Sequence, residues 1–189
     1  MKKSYALSIL VVILFSTQTS FAQNWKKQDR SNIDFRVGLV PTFAKDDGKV
    51  KLLPLSINYD YRIGEKITVG AYVGHSVTET DRRIISDGIV AQWRNSFTTF
   101  GVRLAAHAFK FEDWDIYGGF MVGYNLSKVE TLAGDIDEIT THMGIKPSSG
   151  KGTMTGFVGA RYSVTENLGI TSEIGFGVSL VNLGVSYKF

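Results

Sequence analysis

From residue 34 to residue 189 the chain alternates with a period of two, and the alternation is inverted relative to a soluble barrel. One parity carries large apolar and aromatic side chains. In DFRVGLVPTF (34–43) these are Phe35, Val37, Leu39, Pro41 and Phe43; in KLLPLSINYDYRI (51–63) they are Leu53, Leu55, Ile57, Tyr59 and Tyr61. The other parity carries ten of the 20 glycines: Gly38, Gly70, Gly74, Gly101, Gly119, Gly123, Gly159, Gly175, Gly177 and Gly184. It also carries most of the strand charges: Arg36, Asp60, Arg62, Arg103, Asp115, Arg161, Glu173 and Lys188. Successive strand side chains point to opposite faces. Small and charged residues on one face, with apolar residues on the other, fit the inside of a narrow barrel whose outside meets lipid.

The same parity recurs in ITVGAYVG, SFTTFGVRLAAHA, WDIYGGFMVGYNL, MTGFVGARYSV, LGITSEIGF and LVNLGVSYKF. Together with the two segments above, these make eight candidate strands and an all-β chain rather than βαβ units. Connection lengths alternate. Tight polar turns follow Ile63, Lys110 and Val164, whereas the stretches at 76–95 and 127–152 are long. Short turns on one side and long loops on the other describe an eight-stranded antiparallel transmembrane barrel with periplasmic termini. The 44–50 loop is of intermediate length, and the last loop, near Val178 to Leu180, is very short.

The N-terminus has the form of a secretory leader. Lys2 and Lys3 precede an apolar run at 5–15, and Ser20 and Ala22 suit cleavage before Gln23. The run is shorter than the ~20 residues of a spanning helix. The expected organisation is a signal peptide at 1–22, a lead-in at 23–33 with Trp25 against the inner girdle, and the barrel at 34–189. The formal charge is +3; loss of Lys2 and Lys3 leaves 3 − 2 = +1, which gives no electrostatic case for nucleic-acid binding. The chain has no cysteine, which excludes disulfides and thiolate metal sites.

Aromatic residues gather near strand ends. Phe35, Tyr61, Trp114, Tyr162, Tyr187 and Phe189 lie on the short-turn side; Phe43, Phe97, Tyr124 and Phe176 lie near the other ends. Two such girdles are expected where headgroups meet hydrocarbon. The closing LVNLGVSYKF, with Phe189 last and Tyr187, Val185 and Leu183 alternating before it, resembles the C-terminal signature of bacterial outer-membrane barrels. With the leader and eight strands, residues 34–189 are similar to the small OmpX-like, porin-family outer-membrane β-barrels of Gram-negative bacteria. The resemblance implies residence in the cell outer membrane and contact with outer-membrane lipid and lipopolysaccharide. It also implies recognition of Leu183, Val185, Tyr187 and Phe189 by the barrel-assembly machinery, and a monomeric state. It is specific for architecture rather than activity.

Inward charges need partners, and hairpin arithmetic proposes three pairs. Arg161 faces Glu173, His107 faces Asp115, and Arg36 faces Asp60 if the first loop is symmetric about Gly48, with Lys188 on the neighbouring closing strand. The arithmetic assigns no partner to Arg62 and Arg103; sharing Asp60 and Glu173, or holding water, are the alternatives. A salt-bridged plug is expected rather than an ion path, because an eight-stranded lumen is just wide enough for side chains to fill.

Catalysis, cofactors and metals are not expected. His75 and Ser76 are neighbours and point to opposite faces. The contexts HSV, HAF and HMG around His75, His107 and His142 lack the His-x-Ser pair of lipid A deacylase barrels. SSGKGT (148–153) lacks the glycine spacing of a P-loop. The acidic run Asp135, Asp137 and Glu138 lacks the glycine and distant Glu of a calcium loop. The expected function is that of a non-enzymatic envelope protein acting through its loops, for envelope integrity or surface contact. The alternatives are a weak narrow pore, a lipid-modifying barrel enzyme and a soluble lipocalin-like carrier; the last would need an apolar interior.

Overall fold

Nine strands are present among the described residues, and eight of them close a barrel. The computed structural model describes residues 30–42, 49–86, 89–111, 113–134, 140 and 146–189. The strands are β1 (Ser31–Gly38), β2 (Lys49–Arg62), β3 (Ile67–Glu79), β4 (Arg83–Ser86), β5 (Ile89–Phe111), β6 (Trp114–Ala133), β7 (Ser148–Ser163), β8 (Leu168–Gly175) and β9 (Val181–Lys188). Neighbours follow the order β3-β2-β1-β9-β8-β7-β6-β5, and a β3–β5 pairing closes the ring. Every pairing is antiparallel. The short β4 lies on β5 outside the ring. The leader at 1–22, Trp25, Phe43, Gly48, Asp135, Asp137, Glu138 and His142 fall outside the described residues.

β1 begins at Ser31, three residues before the expected boundary, because residues 31–33 already pair on both sides: Ser31 with Tyr61, Ile33 with both Tyr59 and Tyr187. It ends at Gly38 rather than Phe43. Pro41 has no amide donor, so it cannot extend a ladder, and it forms instead an isolated bridge with Ser179. Phe35 therefore stands in mid-strand and not at the turn-side end. Pro54 is fully buried beside the β2 register shifts at Leu52 and Leu55, the kind of site where a sheet tolerates proline.

Strand extends into both stretches expected as long loops. β3 continues to Glu79, β5 starts at Ile89, β6 runs to Ala133 and β7 starts at Ser148. The alternation is harder to see there because the residues are polar on both faces. The extension has a small apolar contact of its own, with Ala91 and Trp93 buried against Val129.

The outer wall is apolar and exposed: Val102 is 60%, Val158 63% and Ile174 67% accessible. A lipocalin-like carrier would present the reverse. Trp114 and Tyr162 meet outside at 5.1 Å, and Phe189 stacks on Tyr187 at 6.2 Å. Phe97 departs from the expected girdle. It is buried and points inward, into a cluster with Tyr72, Ala105, Tyr117, Met121, Phe157 and Val178.

The lumen thus has an apolar layer toward the loop end and a charged layer toward the turn end. Some of the inward glycines make space for rings: a Cβ at Gly159 would lie 2.5 Å from the Tyr117 hydroxyl, and one at Gly74 2.7 Å from that of Tyr72. The β8–β9 connection turns into the barrel mouth. Val178 is fully buried, and its amide donates to the Tyr72 hydroxyl at 3.1 Å.

Candidate functional site

Inward parity on six strands delivers eight side chains into one unbroken sequence in which basic and acidic groups alternate. His107 (β5) contacts Asp115 (β6), which contacts Arg161 (β7); Arg161 reaches Asp34 (β1), and Asp34 holds Arg36. Arg36 then pairs with Glu173 (β8) at 2.7 Å, Glu173 with Arg103 (β5) at 2.6 Å, and Arg103 with Asp60 (β2) at 3.5 Å. Asp34 is wholly inaccessible, and Arg36 and Arg103 are 2% exposed. A buried ion is tolerated only when paired and hydrogen-bonded, and sharing gives these guanidinium groups two carboxylates each.

Neutral groups complete the network. Asn32 donates to Asp34 at 2.7 Å. The Tyr117 hydroxyl accepts from Arg36 at 3.0 Å and donates to Glu173 at 3.3 Å. The Arg103 guanidinium lies over the Phe157 ring, 4.0 Å from its centroid. His107 Nδ1 is 2.7 Å from Asp115 Oδ1, and its Nε2 is 3.2 Å from the Thr68 hydroxyl. A carboxylate only accepts, so Nδ1 carries the proton.

Two of the three pairings expected from hairpin arithmetic are different in the structure. Arg161 lies opposite Thr171, not Glu173, and its partners are Asp34 and Asp115. Arg36 lies opposite Ser56, while Asp60 lies opposite Asn32; Arg36 turns to Asp34 and Glu173. Both register errors are even-numbered. Such a slip keeps each side chain on its face and changes only its neighbour. The His107–Asp115 contact is present although their backbones are not directly opposite, since a bulge intervenes at Ala108. Arg103 does share Asp60 and Glu173. Arg62 donates to the Glu65 carbonyl at 2.6 Å. Lys188 lies opposite Asn32 at the turn end, away from Arg36, and donates to Ser163 at 2.9 Å.

Sequence reasoning missed Asp34, which links the two halves of the network. Its parity, one before outward Phe35, marks it as inward; treating it as the first residue of a strand hid that. It also missed Tyr117, whose parity was equally legible.

At the loop end the outer face carries a second row, exposed at Lys49 and Glu130 and half-buried between them. Lys49, Glu79, Arg94 and Glu130 are successive register partners across β2, β3, β5 and β6. Arg94 contacts Glu79 at 3.3 Å and Glu130 at 3.7 Å. Lys49 is held above the usual ammonium range by its hydrogen bond to Asp81, 2.8 Å away. Exposed pairs of this kind contribute little to stability.

His75 points outward and contacts Thr98 at 2.8 Å, whereas Ser76 is buried on the inner face. The two do not meet. Among the described residues no cluster of three His, Cys, Asp or Glu side chains has metal-binding geometry.

No protein-family model matches the sequence, and no curated protein matches it either. Solved structures do. The crystal structure of the outer membrane protein OprG from Pseudomonas aeruginosa superposes with a TM-score of 0.57 at 14% identity, covering 86% of this chain and 97% of that one. Ail, the attachment invasion locus protein of Yersinia pestis, crystallised with the heparin analogue sucrose octasulfate, gives 0.50 at 12% identity, covering 86% and 99%. The fold is that of the small outer-membrane barrels. At these identities the likeness concerns architecture, and the lumen network stands on this chain's own side chains.

Proposed function

We propose that this chain is a sealed, non-enzymatic barrel of the Gram-negative outer membrane, contributing to envelope integrity or surface contact through its loop-end sheet. The observation that carries the reading is the inverted wall: apolar side chains outside, and a continuous chain of ion pairs inside. An exposed apolar surface of this extent is not sustained in water, whereas a band of lipid covers it at no cost. The apolar layer of Tyr72, Phe97, Phe157 and Val178 and the ion chain beneath it support a plugged lumen over a narrow pore.

In this reading residues 1–22 direct export. Leu183, Val185, Tyr187 and Phe189 form the strand that the assembly machinery recognises and that then pairs with β1. The outward row around Arg94 lies where lipopolysaccharide headgroups would meet the wall. The protein works as a monomer and needs neither cofactor nor nucleic acid.

The test is electrophoresis of outer-membrane fractions, boiled and unboiled, for the whole chain and for deletions of residues 80–88 and 134–147. A compact band that slows on boiling is expected in all three, with surface or envelope phenotypes lost in the deletions. A soluble periplasmic protein would overturn the membrane assignment. Unchanged phenotypes in both deletions would overturn the assignment of function to the loop end.

A further inference from the structure

The lumen holds two small cavities. One, of about 30 Å³, lies at the turn end and is lined by Asp60, Arg62, Thr68, His107, Arg161 and Lys188 among others. The second, of about 10 Å³, lies toward the loop end and is lined by Tyr72, Arg103, Met121, Phe157, Glu173 and Gly177 among others. The first has room for ordered water. Its walls present a buried Arg161 Nε and a buried Asp60 oxygen that no protein group hydrogen-bonds. Arg103 spans the gap between the cavities. Its Nε faces Asp60, a wall of the first cavity, at 3.5 Å, and its Nη2 holds Glu173, a wall of the second, at 2.6 Å. Its guanidinium packs on the Phe157 ring.

We propose that the Arg103 side chain is the partition that seals this barrel, standing between two cavities that would otherwise form one continuous water path. The inference rests on the plugged-barrel reading and names the side chain responsible. Asp34 and Arg36 line neither cavity, whereas Arg103 is itself a wall of the second. Arg103 also neutralises Asp60 and Glu173. Its loss therefore does two things at once: it joins the cavities, and it leaves Asp60 without its cation and Glu173 with Arg36 alone, so the new passage carries net negative charge. A cation passes such a constriction more easily than an anion, because a narrow low-dielectric passage amplifies the field of its wall charges.

The experiment is single-channel recording in planar bilayers of the whole protein, of Arg103→Ala, and of a triple variant Asp60→Asn/Arg103→Ala/Glu173→Gln. The triple variant neutralises both carboxylates that Arg103 holds and so guards against failure to fold; the boiled and unboiled gel establishes folding of each. The unaltered protein is expected to be silent. Arg103→Ala is expected to give discrete openings whose reversal potential in a potassium chloride gradient shifts toward the potassium equilibrium value. The triple variant is expected to conduct with that shift lost. Silence of the folded triple variant overturns the proposal, as does equal conductance of the unaltered protein. Openings without cation preference in Arg103→Ala indicate a generally loosened barrel and overturn it as well. If instead the unaltered chain fails to enter membranes at all, the plugged-barrel reading fails first.

Discussion

Replacing Asp34 by Asn tests whether the lumen charges act as one network. Asp34 is completely buried and accepts from Arg36, from Arg161 at 3.2 Å and from Asn32 at 2.7 Å. Asn preserves volume but removes the negative charge and exchanges one acceptor oxygen for an amide that two guanidinium groups repel. Breaking a buried ion pair by removing one partner costs about 3–5 kcal/mol, because the other charge is left uncompensated. Here each arginine keeps a second carboxylate: Arg36 keeps Glu173 at 2.7 Å, and Arg161 keeps Asp115 at 3.2 Å. The cost therefore falls at the lower end, about 3 kcal/mol. The assay is reversible urea unfolding in lipid vesicles, followed by tryptophan fluorescence. A double cycle with Arg161→Met should show strong coupling between positions 34 and 161, since the two side chains touch. A loss below about 1 kcal/mol, the range of an exposed pair, or additive effects at the two sites, would refute the network argument.

Three other outcomes follow from the same geometry. Gly159→Val places a side chain where the Tyr117 ring lies and should destabilise by about 1–3 kcal/mol through overpacking, whereas Gly152→Val, where a Cβ meets nothing within 4 Å, should be nearly neutral; urea midpoints compare the two. Val158→Arg, on a wall position 63% exposed, should cost up to about 2–4 kcal/mol in lipid if it lies near the midplane, and a neutral result would place that wall outside the hydrocarbon. Deleting Phe189, whose backbone pairs with Ser31 in both directions at 3.1 and 3.0 Å, should lower the fraction of compact, heat-modifiable barrel in the outer-membrane fraction.

The barrel was legible because a single physical rule, two-residue parity, operates along most of the chain and does not depend on register. It placed Arg36, Asp60, Arg103, Asp115, Arg161 and Glu173 on the inner face without a structure. Partners were less legible. Hairpin arithmetic assumes symmetric turns, and a two-residue slip between β7 and β8 or a four-residue slip between β1 and β2 leaves parity intact while separating Arg161 from Glu173 or Arg36 from Asp60. Asp34 itself was hidden by a misplaced strand start. The inward rings of Tyr72, Phe97 and Phe157 were obscured for another reason. A lumen reading built on charge and glycine leaves no place for a second, apolar layer. The loop-end strands were concealed by their polarity on both faces, which removes the alternation that reveals a strand.

Tryptophan quenching by lipids with brominated acyl chains tests the central claim, that the apolar face is the outer one. The chain is prepared with Trp25, Trp93 and Trp114 replaced by Phe and with a single tryptophan introduced by Val102→Trp, a position 60% exposed on the wall. A second preparation keeps only Trp93, which is buried. Strong quenching of the tryptophan at position 102, with Trp93 unaffected, is the predicted result. Quenching of neither would contradict a lipid-facing wall.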